Sequence, residues 1–154
     1  MLVEGDPVPD VTLIGMDGAA VSPADFRGQK LVLYFYPKDD TSGCTREAQD
    51  FTALAGEFEK SGTWILGVSK DGPERHAKFT AKYGLGIKLA TDSDGRVCEA
   101  FGVWGEKRLY GRKYLGIDRA TFLIDRDGTI ARVWRKVRVP GHAEEVLAAA
   151  RELP

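Results

Sequence analysis

The residues around position 40 decide the fold. Residues 31–44 read LVLYFYPKDDTSGC. The first six are apolar or aromatic without polar alternation, which is typical of a buried central strand. Pro37 ends that strand, and the polar residues after it predict a loop. From Cys44 onward, apolar residues recur in steps of four and three as far as Phe58, which predicts a helix with one buried face.

Working outward from this stretch, strands and helices alternate along the rest of the chain. Asp17-Gly18 predicts an N-terminal hairpin, and Asp127-Gly128 predicts a second one, because Asp-Gly supplies the positive φ of a tight turn. Two hairpins among alternating strands and helices predict an α/β fold with a mixed central sheet flanked by helices. We expect strands near 11–14, 63–69, 87–90, 120–124 and 129–137, helices near 74–83, 96–101 and 141–153, and a long charged loop or lid over 105–116.

Length and composition indicate one folded domain, 1–154, because 154 residues is a typical domain size. The chain is 43% hydrophobic and 29% charged, which argues against disorder, and its net charge of −1 argues against a strongly basic nucleic-acid binder. No apolar run approaches the length of about 20 residues that a membrane span needs. The first residues do not resemble a secretory signal, so we expect a cytoplasmic protein.

Cys44 has the most suggestive local setting. A thiol in the first turn of a helix lies near unpaired backbone N–H groups and the positive end of the helix dipole, both of which favour the nucleophilic thiolate. Thr41, three residues earlier, can place a hydroxyl beside the sulfur, and Pro37 can cover the site without offering an N–H donor. The alternative is that Cys44 is a small buried hydrophobic residue, a common state for free cysteine.

A thiolate also needs a cation, and Arg119 is the candidate. It lies at the start of the apolar strand 120–124, where solubility does not require an arginine. Its guanidinium is always charged and offers several donors in one plane, so near Cys44 it would favour the thiolate and stabilise developing negative charge. The competing interpretation is a surface arginine paired with Asp118 or Asp125.

These residues resemble a known family. The pattern Pro37-xxx-Thr41-xx-Cys44, together with a distant Arg119, is similar to the active site of the peroxiredoxins. The stretches LYFYP at 33–37 and FGVW at 101–104 resemble the Q-type subfamily, also called bacterioferritin comigratory protein. The similarity extends from Gly5 to the last helix.

The resemblance implies a thioredoxin-like fold and a peroxidase reaction on hydrogen peroxide and organic hydroperoxides, with no metal or organic cofactor. By position, Cys44 would be the peroxidatic thiolate that becomes a sulfenic acid. Thr41 and Arg119 would position the peroxide, and Pro37 would shield the oxidised sulfur. Glu47 would be a structural residue at the start of the helix.

The sequence departs from the subfamily at the second thiol. Many members carry a resolving cysteine five residues after the first, where this chain has Gln49. We therefore expect a one-Cys cycle completed by an external thiol, which could be thioredoxin, glutaredoxin or a small thiol. Cys98, beside Val97, is expected to be a packed core thiol. The alternative is a two-Cys cycle in which Cys98 resolves Cys44, which requires their Cα atoms to come within ~7 Å.

Other functions have less support. A disulfide reductase needs a CxxC pair and a metal site needs suitably spaced ligands around His76 or His142, and neither pattern occurs. The basic residues 132–138 are best explained as charges on an edge strand, so no nucleic-acid partner is expected. A non-peroxidatic binding or chaperone-like protein of the same fold remains an alternative. Without a long C-terminal arm, we expect a monomer or a weak homodimer.

Overall fold

The computed structural model describes all residues, 1–154. It contains nine strands, four α-helices and a short 3₁₀ helix at Pro23–Phe26. No helix combines the length and apolar character needed to cross a bilayer. The strands are β1 Leu13–Gly15, β2 Ala20–Val21, β3 Lys30–Phe35, β4 Thr63–Ser69, β5 Lys88–Thr91, β6 Trp104–Leu109, β7 Arg112–Ile117, β8 Ala120–Ile124 and β9 Ile130–Arg135. The helices are α1 Ser42–Lys60, α2 Pro73–Tyr83, α3 Arg96–Ala100 and α4 His142–Glu152.

Seven strands form one mixed sheet in the order β2-β1-β5-β4-β3-β8-β9. The three central strands β5, β4 and β3 run parallel to one another, whereas β8 pairs antiparallel with β3 and β9 antiparallel with β8. The first two strands form the predicted N-terminal hairpin. The predicted mixed sheet flanked by helices is therefore confirmed, with strand and helix ends that differ from expectation by a few residues.

Successive side chains of the central strand point to opposite faces of the sheet and build two separate cores. Val32 and Tyr34 contribute to the first core, where α1, α2 and α4 pack. Leu33 and Phe35 contribute to the second, where α3 and the residues after it pack. Because every residue of β3 is buried on one face or the other, its sequence lacks the polar alternation of a half-exposed strand.

The expected loop or lid over 105–116 is wrong. These residues form a separate two-stranded hairpin in which β6 pairs antiparallel with β7. Its two-residue turn, Tyr110-Gly111, has positive φ at both positions (51° and 77°), as a type I′ turn requires. The hairpin is mostly exposed and rich in charge, so it lacks the apolar alternation that identifies a strand, and tyrosine is an unusual residue at the first turn position.

The far end of the first core is held by a buried lysine. Lys30, at the start of β3, donates from its ammonium group to the backbone oxygens of Ala150 (2.6 Å) and Leu153 (2.8 Å). These carbonyls lie at the C-terminal end of α4, where Ala150 also accepts the amide of Leu153 at 3.3 Å and Leu153 is the residue after the last turn. The ammonium group is therefore a capping group for this helix, at the opposite end of β3 from Cys44.

Candidate active site

Cys44 lies in the first turn of α1, after the loop that follows the carboxyl end of β3. The helix begins at Ser42, and Thr41 is its N-cap residue, with its backbone oxygen accepting a hydrogen bond from the amide of Thr45 (2.8 Å). The Cys44 side chain is 2% exposed and packs in the first core. Its position in the first turn of α1 places the thiol near the positive end of the helix dipole.

Arg119 reaches Cys44 from 75 residues away in the chain. It immediately precedes β8, which is the antiparallel neighbour of β3, so the two ends meet at the same edge of the sheet. One guanidinium nitrogen, Nη2, donates to Cys44 Sγ at 3.4 Å. The other, Nη1, donates to Glu47 at 2.7 Å. The competing pairs with Asp118 or Asp125 do not form.

Glu47 is a member of this cluster that sequence reasoning assigned only a structural role. Its side chain is 1% exposed, and it lies in the second turn of α1, one turn after Cys44. Burial raises the pKa of Glu47 to about 7, with the opposing attraction of Arg119 too weak to cancel it. A detectable signal was present in the sequence, since Glu47 is an acid on the apolar face that carries Cys44 and Ala48.

Gly43 gives the guanidinium room to approach. A β-carbon built on Gly43 would lie 3.2 Å from Nη2 of Arg119, which is tighter than ordinary packing. The glycine therefore permits Arg119 to reach across the first turn of α1 to the sulfur. The sequence pattern predicts only a loop residue at this position.

Thr41 and Pro37 precede the thiol in the loop before α1, and neither makes a hydrogen bond to it. The Thr41 hydroxyl donates to the backbone oxygen of Lys38 at 2.9 Å. Because its one hydrogen is engaged, its lone pairs remain available as acceptors. Pro37 is half-buried and lies two residues after the end of β3, beyond Tyr36. Of the four predicted site residues, the structure brings Cys44 and Arg119 into contact and keeps Thr41 and Pro37 on the adjoining loop.

Cys98 lies in a different environment. It is fully buried in α3, within the second core, so the sheet separates it from Cys44. Its backbone amide donates to the carboxylate of Asp92 at 2.8 Å. Burial, reinforced by that carboxylate, raises the pKa of the Cys98 thiol well above its usual range. Both cysteines are free, and Gln49 is exposed on the outer side of α1.

Comparisons with known proteins agree with this geometry. The model of the AhpC/TSA family matches residues 4–133, and the chain belongs to that family. Peroxiredoxin Bcp of Xanthomonas campestris is 52% identical over 122 residues, covering 79% of this chain and 76% of that protein. Peroxiredoxin Bcp of Bacillus subtilis is 43% identical over 149 residues, covering 97% and 95%.

Solved structures place the chain in the same group. A mutant of PrxQ from Xylella fastidiosa superposes with a TM-score of 0.93 at 40% identity, covering 99% of this chain and 97% of that one. Peroxiredoxin Q of Xanthomonas campestris gives a TM-score of 0.87 at 46% identity, covering 92% and 90%. The thioredoxin-like fold and the resemblance to the Q-type peroxiredoxins are confirmed. The chain is a thiol peroxidase, which removes the binding or chaperone-like alternative.

Proposed function

We propose that Cys44 is the peroxidatic thiol of a one-Cys cycle that reduces hydrogen peroxide and organic hydroperoxides at the expense of an external thiol. The observation that carries the proposal is the hydrogen bond from Arg119 to Cys44 Sγ at 3.4 Å. A guanidinium in that position favours the negatively charged sulfur, and only the thiolate attacks electrophiles well. Cys98 has the opposite surroundings, a carboxylate and an apolar core.

In the first step the Cys44 thiolate attacks one oxygen of the hydroperoxide. A sulfur–oxygen bond forms as the oxygen–oxygen bond breaks, leaving a sulfenic acid and an alkoxide or hydroxide that takes a proton from solvent. Negative charge moves from sulfur to the departing oxygen, and the N–H groups of Arg119 can stabilise this charge as it develops. Thr41 accepts a hydrogen bond from the peroxide O–H, since its own hydrogen is already engaged with Lys38. Pro37 shields the sulfenic acid from water.

In the second step a thiol outside the chain attacks the sulfenic sulfur. Water leaves, a mixed disulfide forms, and a second external thiol displaces Cys44 and regenerates its thiolate. The external pair is thereby oxidised to a disulfide while the peroxide has been reduced. Thioredoxin, glutaredoxin or a small thiol fits this role, and no metal or organic cofactor takes part.

The position of Cys98 favours this cycle over an internal disulfide. A disulfide needs the two Cα atoms within ~7 Å, and the central sheet separates the two cores to which these cysteines belong. Joining the cysteines would require α3 to leave its core. Position 49, where many members of the subfamily carry the resolving cysteine, is an exposed glutamine and offers no thiol.

The substrate range has support from one relative. The bacterioferritin comigratory protein of Xanthomonas campestris, 43% identical over 96% of this chain, has an alkyl peroxide reduction activity. We extend that class to this chain together with hydrogen peroxide. We further propose that the protein acts as one domain in the cytoplasm, as a monomer or weak homodimer, since two free cysteines suit a reducing compartment.

Mass analysis after oxidation tests the cycle. The reduced protein is treated with one equivalent of hydrogen peroxide, trapped with a sulfenic-acid reagent and digested without reductant. We expect the adduct on Cys44, in wild type and in Cys98→Ser alike. The absence of an adduct on Cys44 contradicts the peroxidatic assignment. A loss of two hydrogens with linked Cys44 and Cys98 peptides contradicts the one-Cys cycle and supports the two-Cys alternative.

A further inference from the structure

A buried polar network lies behind the loop that precedes Cys44. His76, on α2, is completely buried, and its Nδ1 lies 2.7 Å from a carboxylate oxygen of Asp39. The other ring nitrogen, Nε2, lies 3.0 Å from the backbone oxygen of Ala90. The hydroxyl of Tyr36 donates to the second carboxylate oxygen of Asp39 at 2.5 Å. Both oxygens of Asp39 are therefore engaged, and both ring nitrogens face acceptors.

This network is unusual because it lies at the edge of an otherwise apolar core. Tyr36 belongs to the first core, and burial raises the pKa of its hydroxyl well above the usual range, so it remains a donor. Asp39 is 2% exposed. Removing one partner from a buried pair leaves the other without compensation, which is far more costly than losing an exposed ion pair. Separating Asp39 from His76 is therefore expected to cost stability.

Two further contacts hold the same loop. Asp39 contacts the residues after β4, and Asp40 contacts α2. The backbone amide of Asp39 donates to Asp71 at 2.7 Å. Asp40 has the left-handed φ of 60°, and its carboxylate accepts hydrogen bonds from Lys82 (2.8 Å) and Tyr83 (2.5 Å). The contacts of Asp40 are exposed and hence weak. The pair between Asp39 and His76 is a fully buried side-chain contact of the loop, and the hydrogen bond from the Asp39 amide to Asp71 supports it.

Asp39 lies close to Cys44 along the chain. Asp39 lies two residues before Thr41, the N-cap of α1, and five residues before Cys44. Arg119 approaches from the start of β8, and its side-chain hydrogen bonds go to Glu47 and Cys44, both on α1. The sulfur and its cation are thus held by separate elements, and a shift of the loop would move the first turn of α1 relative to the guanidinium.

We infer that His76 and Asp39 are positioning residues. They hold the loop so that Thr41 and Cys44 face the peroxide at the correct distance from the Arg119 guanidinium. The inference rests on the proposed function, in which Cys44 reacts with peroxide. Neither residue makes a hydrogen bond to the sulfur, whose side-chain partner is Arg119. Their contribution acts through the geometry of the loop, and displacement of reacting groups by ~1 Å can cost up to ~100-fold in rate.

The test is the second-order rate constant for oxidation of Cys44 by hydrogen peroxide, measured by rapid quenching and quantification of the remaining thiol. We expect His76→Leu and Asp39→Ala each to slow oxidation ~10- to 100-fold. The double variant should be no slower than the slower single one, because the two residues act through each other. His76→Asn should recover most of the rate, since the asparagine amide can donate to Asp39 in place of Nδ1.

A matched control separates positioning from simple loss of stability. Lys30→Met removes another buried polar anchor, at the opposite end of β3, and should lower the midpoint of urea unfolding while leaving the oxidation rate unchanged. Should His76→Leu fail to fold, Tyr36→Phe takes its place, because it removes only the hydroxyl that donates to Asp39. A folded Tyr36→Phe is then expected to react more slowly than wild type.

The outcomes distinguish the inference from the function on which it rests. If wild-type Cys44 does not react with peroxide, the proposed function fails. If wild type reacts and the folded His76 and Asp39 variants react equally fast, only the positioning role is overturned. Additive losses in the double variant, or slowing by Lys30→Met to the same extent, would likewise overturn it.

Discussion

Cys44 and Cys98 are almost equally hidden from solvent, with 2% and 0% of their surfaces exposed, yet the sheet gives them opposite surroundings. Cys44 receives a hydrogen bond from a guanidinium at the start of a 19-residue helix. Cys98 lies in a five-residue helix beside the carboxylate of Asp92. Burial therefore does not distinguish the two thiols, whereas the sign of the charged group beside each one does.

The separation of the two thiols follows from the period of a strand. Side chains of β3 alternate between faces, so Tyr34 lies with Cys44 in the first core while Phe35 lies with Cys98 in the second. Each core is closed by its own helices. Variants that alter one face should thus leave the thiol on the other face unchanged.

The largest effect is expected from Arg119→Met, which removes the cation from the Cys44 face. The rate constant for peroxide oxidation should fall ~100-fold or more, as for loss of one donor to a developing charge. The rate constant of Arg119→Lys, which keeps the charge without the planar pair of donors, should lie between those of wild type and Arg119→Met. Arg138→Met, at an exposed arginine, is the control and should match wild type. An undiminished rate in Arg119→Met would contradict the idea that the charge beside Cys44 makes it differ from Cys98.

Gly43→Ala should have the next largest effect, because its β-carbon would press against Arg119 at 3.2 Å. We expect stopped-flow oxidation to slow about tenfold while stability is unchanged or rises, since alanine is favoured over glycine in helices. Gly56→Ala is the matched control in the same helix, where an added β-carbon meets no atom within 4 Å. It should stabilise α1 by up to ~1 kcal/mol without changing the rate. Equal rates in both variants would show that Arg119 tolerates the contact.

Glu47→Gln tests the second charge on the Cys44 face through pH. The pKa of Glu47 is about 7 in the folded protein and 4.5 in the unfolded chain. Between pH 4.5 and pH ~7 the folded state therefore binds more protons than the unfolded state. The free energy of unfolding contributed by Glu47 therefore falls as pH rises through this window. Urea unfolding of wild type relative to Glu47→Gln should lose up to ~3 kcal/mol between pH ~4 and pH ~8. A difference that stays flat or grows with pH would contradict the burial of this carboxyl.

The smallest effect is expected on the other face. Cys98→Ala removes one buried sulfur from the second core and should lower the free energy of unfolding by about 1 kcal/mol. Peroxide oxidation and turnover with an external thiol should equal wild type. Steady-state turnover measures this directly, with Cys44→Ser as the inactive reference. Loss of turnover with preserved oxidation would identify Cys98 as a resolving thiol.

The sheet and most of its elements could be predicted because their patterns are local. The apolar run of β3, the stripe of α1 and the Asp-Gly turn before β9 each depend on neighbouring residues. The hairpin β6–β7 was missed because it is exposed and its turn begins with tyrosine rather than asparagine, aspartate or glycine. Its pairing shows in backbone geometry and not in an apolar pattern.

The site divides in the same way. Cys44, Thr41 and Pro37 are adjacent in the sequence and could be recognised together. Arg119 was proposed on chemical grounds, but its contact with the sulfur depends on the pairing of β8 with β3. The engagement of His76 with the active-site loop had no sequence pattern at all, since the pair with Asp39 joins residues 37 positions apart.

The amino-acid sequence alone determined that a thiol lies at the start of a helix that follows a buried strand, because strand burial, loop polarity and helix periodicity are properties of short segments. Only the tertiary structure decided which charges each thiol meets. Strand order brings Arg119 to the edge where Cys44 lies, and alternation across β3 puts Cys98 on the opposite side with Asp92. The physical reason is that electrostatic interactions depend on distance in space, which the order of residues does not specify.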